Sequence, residues 1–318
     1  MSSFLEDTGV KIPIIGGPMY PCSNPELVAA ISEADGIGIV QPISLTYVYG
    51  YEFREGLRYI KSLTSKPIGM NVLIEKSSFK YQERMKEWIE IALDEGIRFF
   101  ITSLGKPDWV VKQVHAHGAK VYHDVTEMKW AKIALKSGVD GLICVNSFAG
   151  GHAGNKDPIG LFNDLKDLGL PLVCAGGVGN HDKFEEMINL GYEAVQMGTA
   201  FIASNECQVP LAYKEAIVKA KKEDIVRSLN VTGVEVSVIN TPYIQKLGLT
   251  PNSFFTWMLD NKILKRFVRL FYMLRSLKNL RSLVKGKKSQ EGFFQAGKSV
   301  EGVTSIEPVK TIITNVIS

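Results

Sequence analysis

The chain has 318 residues, of which 45% are hydrophobic and 22% charged, as in an ordinary soluble globular protein. No apolar run reaches the roughly 18 residues of a membrane span, and the first residues lack the basic-then-apolar pattern of a signal peptide. The four cysteines form no C-x-x-C pair, so we expect no zinc site and a reducing, cytoplasmic location.

Short apolar runs alternate with helical patterns through about residue 204. The runs are 12–16, 36–40, 67–73, 97–103, 120–124, 141–145, 171–175 and 194–197. Helical spacing fills most of the intervals, as at 81–93 and at 183–190, where Asn180 is the expected N-cap. Eight strand–helix units predict a closed parallel TIM barrel. A doubly wound open sheet is the alternative, but no G-x-G-x-x-G follows the first strand.

The pattern changes after residue 205, which predicts a second region. We expect a barrel over 1–205, closed by the C-terminal residues 290–318, and a mainly helical appendage or lid over 206–289. Helical spacing recurs at 209–222, and strand-like alternation of valines lies within 225–240.

The loop after the sixth strand carries the strongest functional signal. Small residues surround His152 in Ala149-Gly150-Gly151-His152-Ala153-Gly154. Barrel enzymes place their chemistry just past such strand ends, and a flat ligand can approach bare backbone there. We therefore interpret His152 as a catalytic residue. The alternative is a histidine that merely fixes the loop.

Glycines follow each of the last three strands. They are Gly151 after the sixth, Gly176 and Gly177 after Ala175 in the seventh, and Gly198 after Gln196 and Met197 in the eighth. The loops after strands seven and eight of barrels commonly bind phosphate through backbone N–H groups. Thr199 adds a hydroxyl donor, so we expect a phosphate-bearing ligand.

The other strand ends offer contacts for a ring. Pro18 and Met19 follow the first strand, Asn71 lies in the third, and Asp124 ends the fifth. Amide and carboxyl groups suit the imide edge of a heterocycle such as a flavin. Loop capping by Asn71 and Asp124 and simple packing of Met19 are the alternatives.

These motifs, taken in chain order, resemble the nitronate monooxygenase family, also called 2-nitropropane dioxygenases. The resemblance rests on Gly17-Pro18-Met19, Gly69-Met70-Asn71, His123-Asp124-Val125-Thr126, the Gly-Gly-His block, Ala175-Gly176-Gly177 and Met197-Gly198-Thr199. The late Ala296-Gly297-Lys298-Ser299 is similar to the family's closing pattern, with Lys298 in place of glutamine. The family consists of FMN-dependent barrels, and flavin-dependent enoyl-ACP and quinone reductases are similar over the same stretches.

The resemblance implies FMN as cofactor and a role for each matched residue. Met19 and Asn71 contact the isoalloxazine, and His152 is catalytic beside it. Asp124 stands where some relatives have lysine, which leaves its role open. The ribityl phosphate region is held by Gly151, Gly176, Gly177, Gly198 and Thr199, and Pro18, Ala175 and Gln196 complete the expected cofactor site.

The implied reaction is oxidation of alkyl nitronates by O₂ to a carbonyl compound and nitrite. An NAD(P)H-dependent reductase of a quinone or an enoyl thioester is the first alternative. A flavin-binding module without turnover is the second.

One late segment is strongly basic. Residues 257–288 hold ten Lys/Arg and one acidic residue, hence +9, which leaves −5 for the rest of a chain whose total is +4. The spacing predicts an amphipathic helix. It either packs on the barrel with solvated charges, or contacts a membrane surface or an acidic partner such as acyl carrier protein. Nucleic acid is not expected, because no binding motif is present.

Overall fold

The computed structural model describes residues 3–74, 79–251 and 293–318, with Leu264 alone between the last two ranges. Apart from Leu264, the predicted basic helix at 257–288 lies outside the described residues. Within the part of the chain that is described, no helix is long and apolar enough to cross a membrane. The same residues bring together no group of His, Cys, Asp and Glu suited to a metal ion.

Eight parallel strands close into a barrel in chain order, which confirms the predicted TIM-barrel class. The strands are β1 (Ile14–Gly16), β2 (Ile37–Val40), β3 (Ile68–Leu73), β4 (Phe99–Ser103), β5 (Lys120–Val125), β6 (Gly141–Val145), β7 (Leu172–Ala175) and β8 (Ala194–Met197). Pairing of Ile14 with Val195 joins the first strand to the last and excludes the open sheet. Each strand begins within two residues of its predicted run.

Helices precede, connect and follow the strands of the barrel. They are α1 (Ser3–Thr8), α2 (Pro25–Glu33), α3 (Phe53–Leu63), α4 (Phe79–Asp94), α5 (Asp108–His115), α6 (Met128–Lys136), α7 (Pro158–Leu165), α8 (His181–Leu190) and α9 (Thr199–Ile202). Shorter helical turns lie at Ser44–Val48 and Lys166–Leu168. The α4 helix buries the face that its spacing predicts, including Trp88 and Ile89. Asn180 caps α8 by accepting from the Lys183 N–H, which confirms that prediction.

The first helix closes the amino end of the barrel. Phe4 of α1 packs edge-on against Phe99 and Tyr122, with ring centroids 6.1 Å away in both cases. The Tyr122 hydroxyl donates to Asp7 at 3.0 Å. Ligand access to the barrel interior is therefore restricted to the carboxyl ends of the strands.

The region after the barrel contains strands as well as helices. It holds α10 (Leu211–Lys219), a turn at Lys222–Asp224, the antiparallel pair β9 (Ile225–Ser228) and β10 (Val236–Ile239), and α11 (Pro242–Leu247). After residue 293 come a turn at Lys298–Gly302 and α12 (Val309–Ile317). Gln295 pairs with Val238 of β10, and α12 packs on α2 and α8. The C-terminal residues are thus held by both the hairpin and the barrel.

Candidate active site

Side chains at the carboxyl end of the barrel form the upper layer of its interior. Ile101, Tyr122 and Ile143 pack together inside the barrel. Residues of a strand alternate between its two faces, so Ser103 and Asp124 point the same way as Ile101 and Tyr122, one layer higher.

A hydrogen-bonded group connects three neighbouring strands in this layer. The Asn71 amide on β3 donates to Ser103 Oγ on β4 at 3.2 Å and to the Ile101 carbonyl at 3.3 Å. Ser103 Oγ donates to Asp124 Oδ2 on β5 at 2.6 Å. The structure thus brings together the predicted Asn71 and Asp124. Ser103 was missed, because only the register of β3, β4 and β5 shows that it bridges them.

Two buried oxygens in the layer have no partner among the described residues. They are Asp124 Oδ1 and Gln196 Oε1. Burial raises the pKa of Asp124 to about 6, although the hydrogen bond from Ser103 opposes that shift. Buried polar atoms in proteins are nearly always hydrogen-bonded, so these two oxygens indicate that a ligand completes the layer.

His123 belongs to the outer face of the barrel and not to this site. Its Nδ1 lies 2.8 Å from Thr102 Oγ1, and its side chain is buried. Burial lowers the pKa of His123 to about 4, which keeps the imidazole neutral. The adjacent residues His123 and Asp124 therefore face opposite sides of the same strand.

The loops after β6 and β7 are tied together at the glycine turn. Gly176 and Gly177 have φ of 116° and 89°, values that residues with a Cβ atom rarely adopt. The Asn146 amide donates to the Gly176 carbonyl at 2.9 Å, while its oxygen accepts from the Phe148 N–H at 2.8 Å. Asn146 was not singled out in the sequence, although its position directly after a strand was a signal. It fixes the turn in which Ala175 and the two glycines lie.

The loops after β1 and β8 meet at the same end. A Cβ atom on Gly198 would lie 3.1 Å from Met19 Sδ, so the predicted residues Met19 and Gly198 are neighbours, and Pro18 directly precedes Met19. Thr199 Oγ1 accepts from the Gly297 N–H at 3.0 Å. That contact leaves the hydroxyl hydrogen of Thr199 available to donate to a ligand.

His152 lies on the loop after β6, which borders the upper layer. The preceding Gly151 exchanges two backbone hydrogen bonds with Ser237 of β10, at 3.3 and 2.7 Å. Gly154, on the other side, packs against Thr126, two residues beyond Asp124. His152 is exposed and makes no hydrogen bond with the described chain, including the Asn71–Ser103–Asp124 group. The protein around it nevertheless restricts its hydration and lowers its pKa, so the imidazole is a free base at neutral pH.

A polar cleft of about 360 Å³ adjoins this loop. Its lining residues are Ser147, Asn155, Ile225, Arg227, Ser237 and Lys298. Arg227 donates to the Gly154 carbonyl and to Asn155 Oδ1 at 2.7 Å, and lies 3.4 Å from Glu235 Oε2. Lys298 Nζ lies 4.8 Å from the centre of the Phe148 ring and forms no ion pair within the described ranges. The cleft joins three distant parts of the chain, so no local pattern indicated it.

The sequence model of the nitronate monooxygenase family matches residues 2–318. A probable nitronate monooxygenase from Staphylococcus saprophyticus is 26% identical, covering 75% of this chain and 78% of that protein. A hydroxy-methyl-oxo-octahydroindene-carboxyl-CoA dehydrogenase from Rhodococcus jostii is 27% identical, covering 79% of this chain and 69% of that protein.

Among solved structures, FabK from Thermotoga maritima is similar with a TM-score of 0.80 and 27% identity. The similarity covers 99% of this chain and 94% of that one. The family is generally flavin-dependent. With the match to the family model over nearly its whole length, the chain belongs to the nitronate monooxygenase family of oxidoreductases.

Proposed function

We propose that this protein is an FMN-dependent enzyme that oxidises small alkyl nitronates with O₂ to a carbonyl compound and nitrite. One observation carries the proposal: His152 is an unprotonated imidazole without a hydrogen-bond partner among the described residues, on the loop that borders the layer with the two unpartnered oxygens. A general base needs this combination of neutral form and free nitrogen. The family match supports the same reaction class.

The residues at the carboxyl end fit FMN. Asp124 Oδ1 and Gln196 Oε1 need partners, and a flavin ring edge offers both donors and acceptors. Asn71, Pro18 and Met19 would border the ring. The phosphate would be held by backbone of Gly151, Ala175, Gly176, Gly177 and Gly198 and by the Thr199 hydroxyl. When bound, FMN supplies the redox chemistry, accepting electrons from the substrate and passing them to O₂.

His152 acts on the proton of the substrate. A neutral nitroalkane carries an acidic hydrogen on the carbon next to the nitro group, and the free imidazole nitrogen accepts it. A substrate that arrives as the nitronate anion has already lost this proton. For that form, the imidazole orients the anion through a hydrogen bond. The exposed position of His152 gives small substrates access from solvent.

Anaerobic mixing of the purified yellow protein with a small alkyl nitronate tests the proposal. We expect the flavin absorbance to bleach, and nitrite to appear once O₂ is admitted. A parallel sample mixed with NADH should keep its oxidised spectrum. Bleaching by NADH and not by the nitronate would contradict nitronate oxidation and indicate an NADH-dependent reductase instead.

A thioester reductase is the second candidate, and the cleft of Arg227 and Lys298 favours it. Phosphate groups of NAD(P)H or of a coenzyme A thioester carry negative charge, which the ammonium of Lys298 beside the guanidinium of Arg227 attracts. By its name, the relative from Rhodococcus jostii acts on a CoA ester. A small alkyl nitronate makes no use of this cleft.

Kinetics with NADH and an enoyl-CoA test the second candidate. Lys298→Gln should raise the KM of the phosphate-bearing substrate about tenfold, the loss of roughly one charge-assisted contact. Lys222→Gln is the matched control, because Lys222 is exposed and pairs with Glu301. No turnover of these substrates, or equal KM values in both variants, would eliminate the candidate.

A further inference from the structure

The carboxyl group of Asp124 stands in an unusual environment for an acid. One oxygen accepts from Ser103 at 2.6 Å, while the other is buried without any partner among the described residues. Within the described chain, only burial and the hydrogen bond from Ser103 shift its pKa, and no lysine or arginine contributes. An isolated buried carboxylate is strongly disfavoured, so the surroundings favour the neutral acid.

The titratable groups on neighbouring elements do not supply a positive charge. His123, on the same strand, faces the other way and is held neutral by burial, which lowers its pKa to about 4. Burial raises the pKa of the Cys144 thiol on β6, so it stays protonated. On β3 and β4, the facing groups are the neutral Asn71 and Ser103. His152, on the loop after β6, has a lowered pKa and is also neutral at pH 7.

The hydrogen bonds decide which oxygen of the neutral acid carries the proton. Asn71 donates to Ser103 Oγ, so the hydroxyl hydrogen of Ser103 is directed at Asp124 Oδ2. Oδ2 is therefore an acceptor, and an acidic proton belongs on Oδ1. An Oδ1–H group in this position is a buried donor that needs an acceptor. The oxidised flavin ring offers only acceptors along most of its polar edge, namely its ring nitrogens and carbonyl oxygens.

We propose that Asp124 is a proton-holding group of the flavin site: as the neutral acid it donates from Oδ1 to the ring, and as the carboxylate it takes up a proton from water when the flavin is reduced. The proposal rests on the cofactor named under the proposed function. In the reduction, two electrons and one proton go to the flavin, and one further proton goes from water to Asp124 wherever that residue was ionised. Reoxidation returns the second proton to water. Ser103 and Asn71 are positioning residues, since they act through the carboxyl group.

The pH dependence of the flavin midpoint potential, measured by dithionite titration of the holoprotein, tests the proposal. Each proton taken up with two electrons shifts the potential by about 30 mV per tenfold change in proton concentration. We expect the reduction to take up one proton below pH 6 and two above pH 6, because Asp124 is ionised above pH 6 in the oxidised protein. Asp124→Asn should take up one proton throughout. Asp157→Asn, which keeps an N-cap on α7, should behave like the wild type.

Infrared difference spectra of the same reduction identify the group that gains the proton. Above pH 6 the wild type should show a new carboxylic-acid carbonyl band, absent in Asp124→Asn. Ser103→Ala removes the hydrogen bond that lowers the pKa of Asp124, so the band should appear only at higher pH. Equal proton uptake in the wild type and Asp124→Asn would overturn this proposal alone. A protein that binds no flavin would overturn it together with the proposed cofactor, and a flavin that nitronate cannot reduce would affect only the proposed reaction.

Discussion

The two ends of the barrel differ in how completely their polar groups are paired. At the amino end, Tyr122 donates to Asp7, and Lys120 lies 3.1 Å from Asp7 and 3.2 Å from Asp140. At the carboxyl end, only two residues after Tyr122 on β5, one oxygen of Asp124 has no partner in the described part of the chain. One strand thus carries a satisfied end and an unsatisfied end. The difference separates the part of the barrel that stabilises the fold from the part that binds and reacts, as is usual in TIM barrels.

The largest effect should come from the reactive end. His152→Ala removes the only base proposed to take the substrate proton, so turnover of a neutral nitroalkane should fall by about 10²–10⁴. Turnover of the pre-ionised nitronate should fall less, since its proton is already lost. Steady-state rates on the two substrate forms, with flavin content measured by absorbance, check this. His117→Ala, on an exposed loop, is the control, and equal losses on both substrate forms would exclude the base role.

The closed end should show the opposite response. Phe4→Ala leaves a hole between α1 and the rings of Phe99 and Tyr122, and truncating a buried Phe destabilises by about 3–5 kcal/mol. Urea unfolding should report this loss of unfolding free energy, while the folded protein keeps the flavin stoichiometry of the wild type. A loss below about 1 kcal/mol would mean that α1 does not contribute to the fold as the contacts indicate.

The unpaired carboxyl end should make stability depend on pH. The pKa of Asp124 is about 6 when folded, above its ordinary value, so the folded state holds a proton that the unfolded state releases. The bound proton stabilises the folded apoprotein fully below about pH 4, and this stabilisation is lost as the pH rises through 6. The lost free energy is on the order of 3 kcal/mol. Urea midpoints of the apoprotein at pH 5 and 7.5 should therefore differ less for Asp124→Asn than for the wild type, and identical differences would contradict the raised pKa.

The smallest effect concerns the basic segment at 257–288, for which we expect weak binding to anionic vesicles or acyl carrier protein. Attraction of this kind is screened beyond about 8 Å at physiological salt. In a sedimentation assay, the protein should therefore pellet with the vesicles at low salt only. Charge reversal at Lys265, Arg266 and Arg269 should abolish this pelleting without changing flavin content. If the protein stays in the supernatant at every salt concentration, the charges of this segment are simply solvated and the segment binds no vesicle.

Most of the barrel follows from local pattern. The strand runs, the glycine turns and the N-cap at Asn180 depend on residues close together in sequence, and the structure contains them as expected. Strand ends also show which residues reach the same edge of a parallel sheet. For this reason Asn71 and Asp124 could be assigned to one site before the contact through Ser103 was visible.

The remaining features depend on contacts between distant residues. The α1 helix is too short for its spacing to predict a helix there. Its position at the amino end of the barrel comes from packing on Phe99 and Tyr122. Asn146 acts through a turn 30 residues away. The cleft of Arg227 and Lys298 requires the β9–β10 hairpin and the C-terminal residues to meet at the loop after β6. The spacing of residues along the sequence does not show which distant segments come into contact.

Titration of the apoprotein with FMN tests most directly the claim that the unsatisfied carboxyl end is a flavin site. We predict one FMN per chain for the wild type. Gly198→Val should weaken binding at least tenfold, because its side chain would occupy space beside Met19 where the ligand approaches bare backbone. Gly160→Ala, where a Cβ makes only ordinary contacts with Asp157, should bind as the wild type does. Absence of FMN binding, or unchanged affinity in Gly198→Val, would contradict the claim.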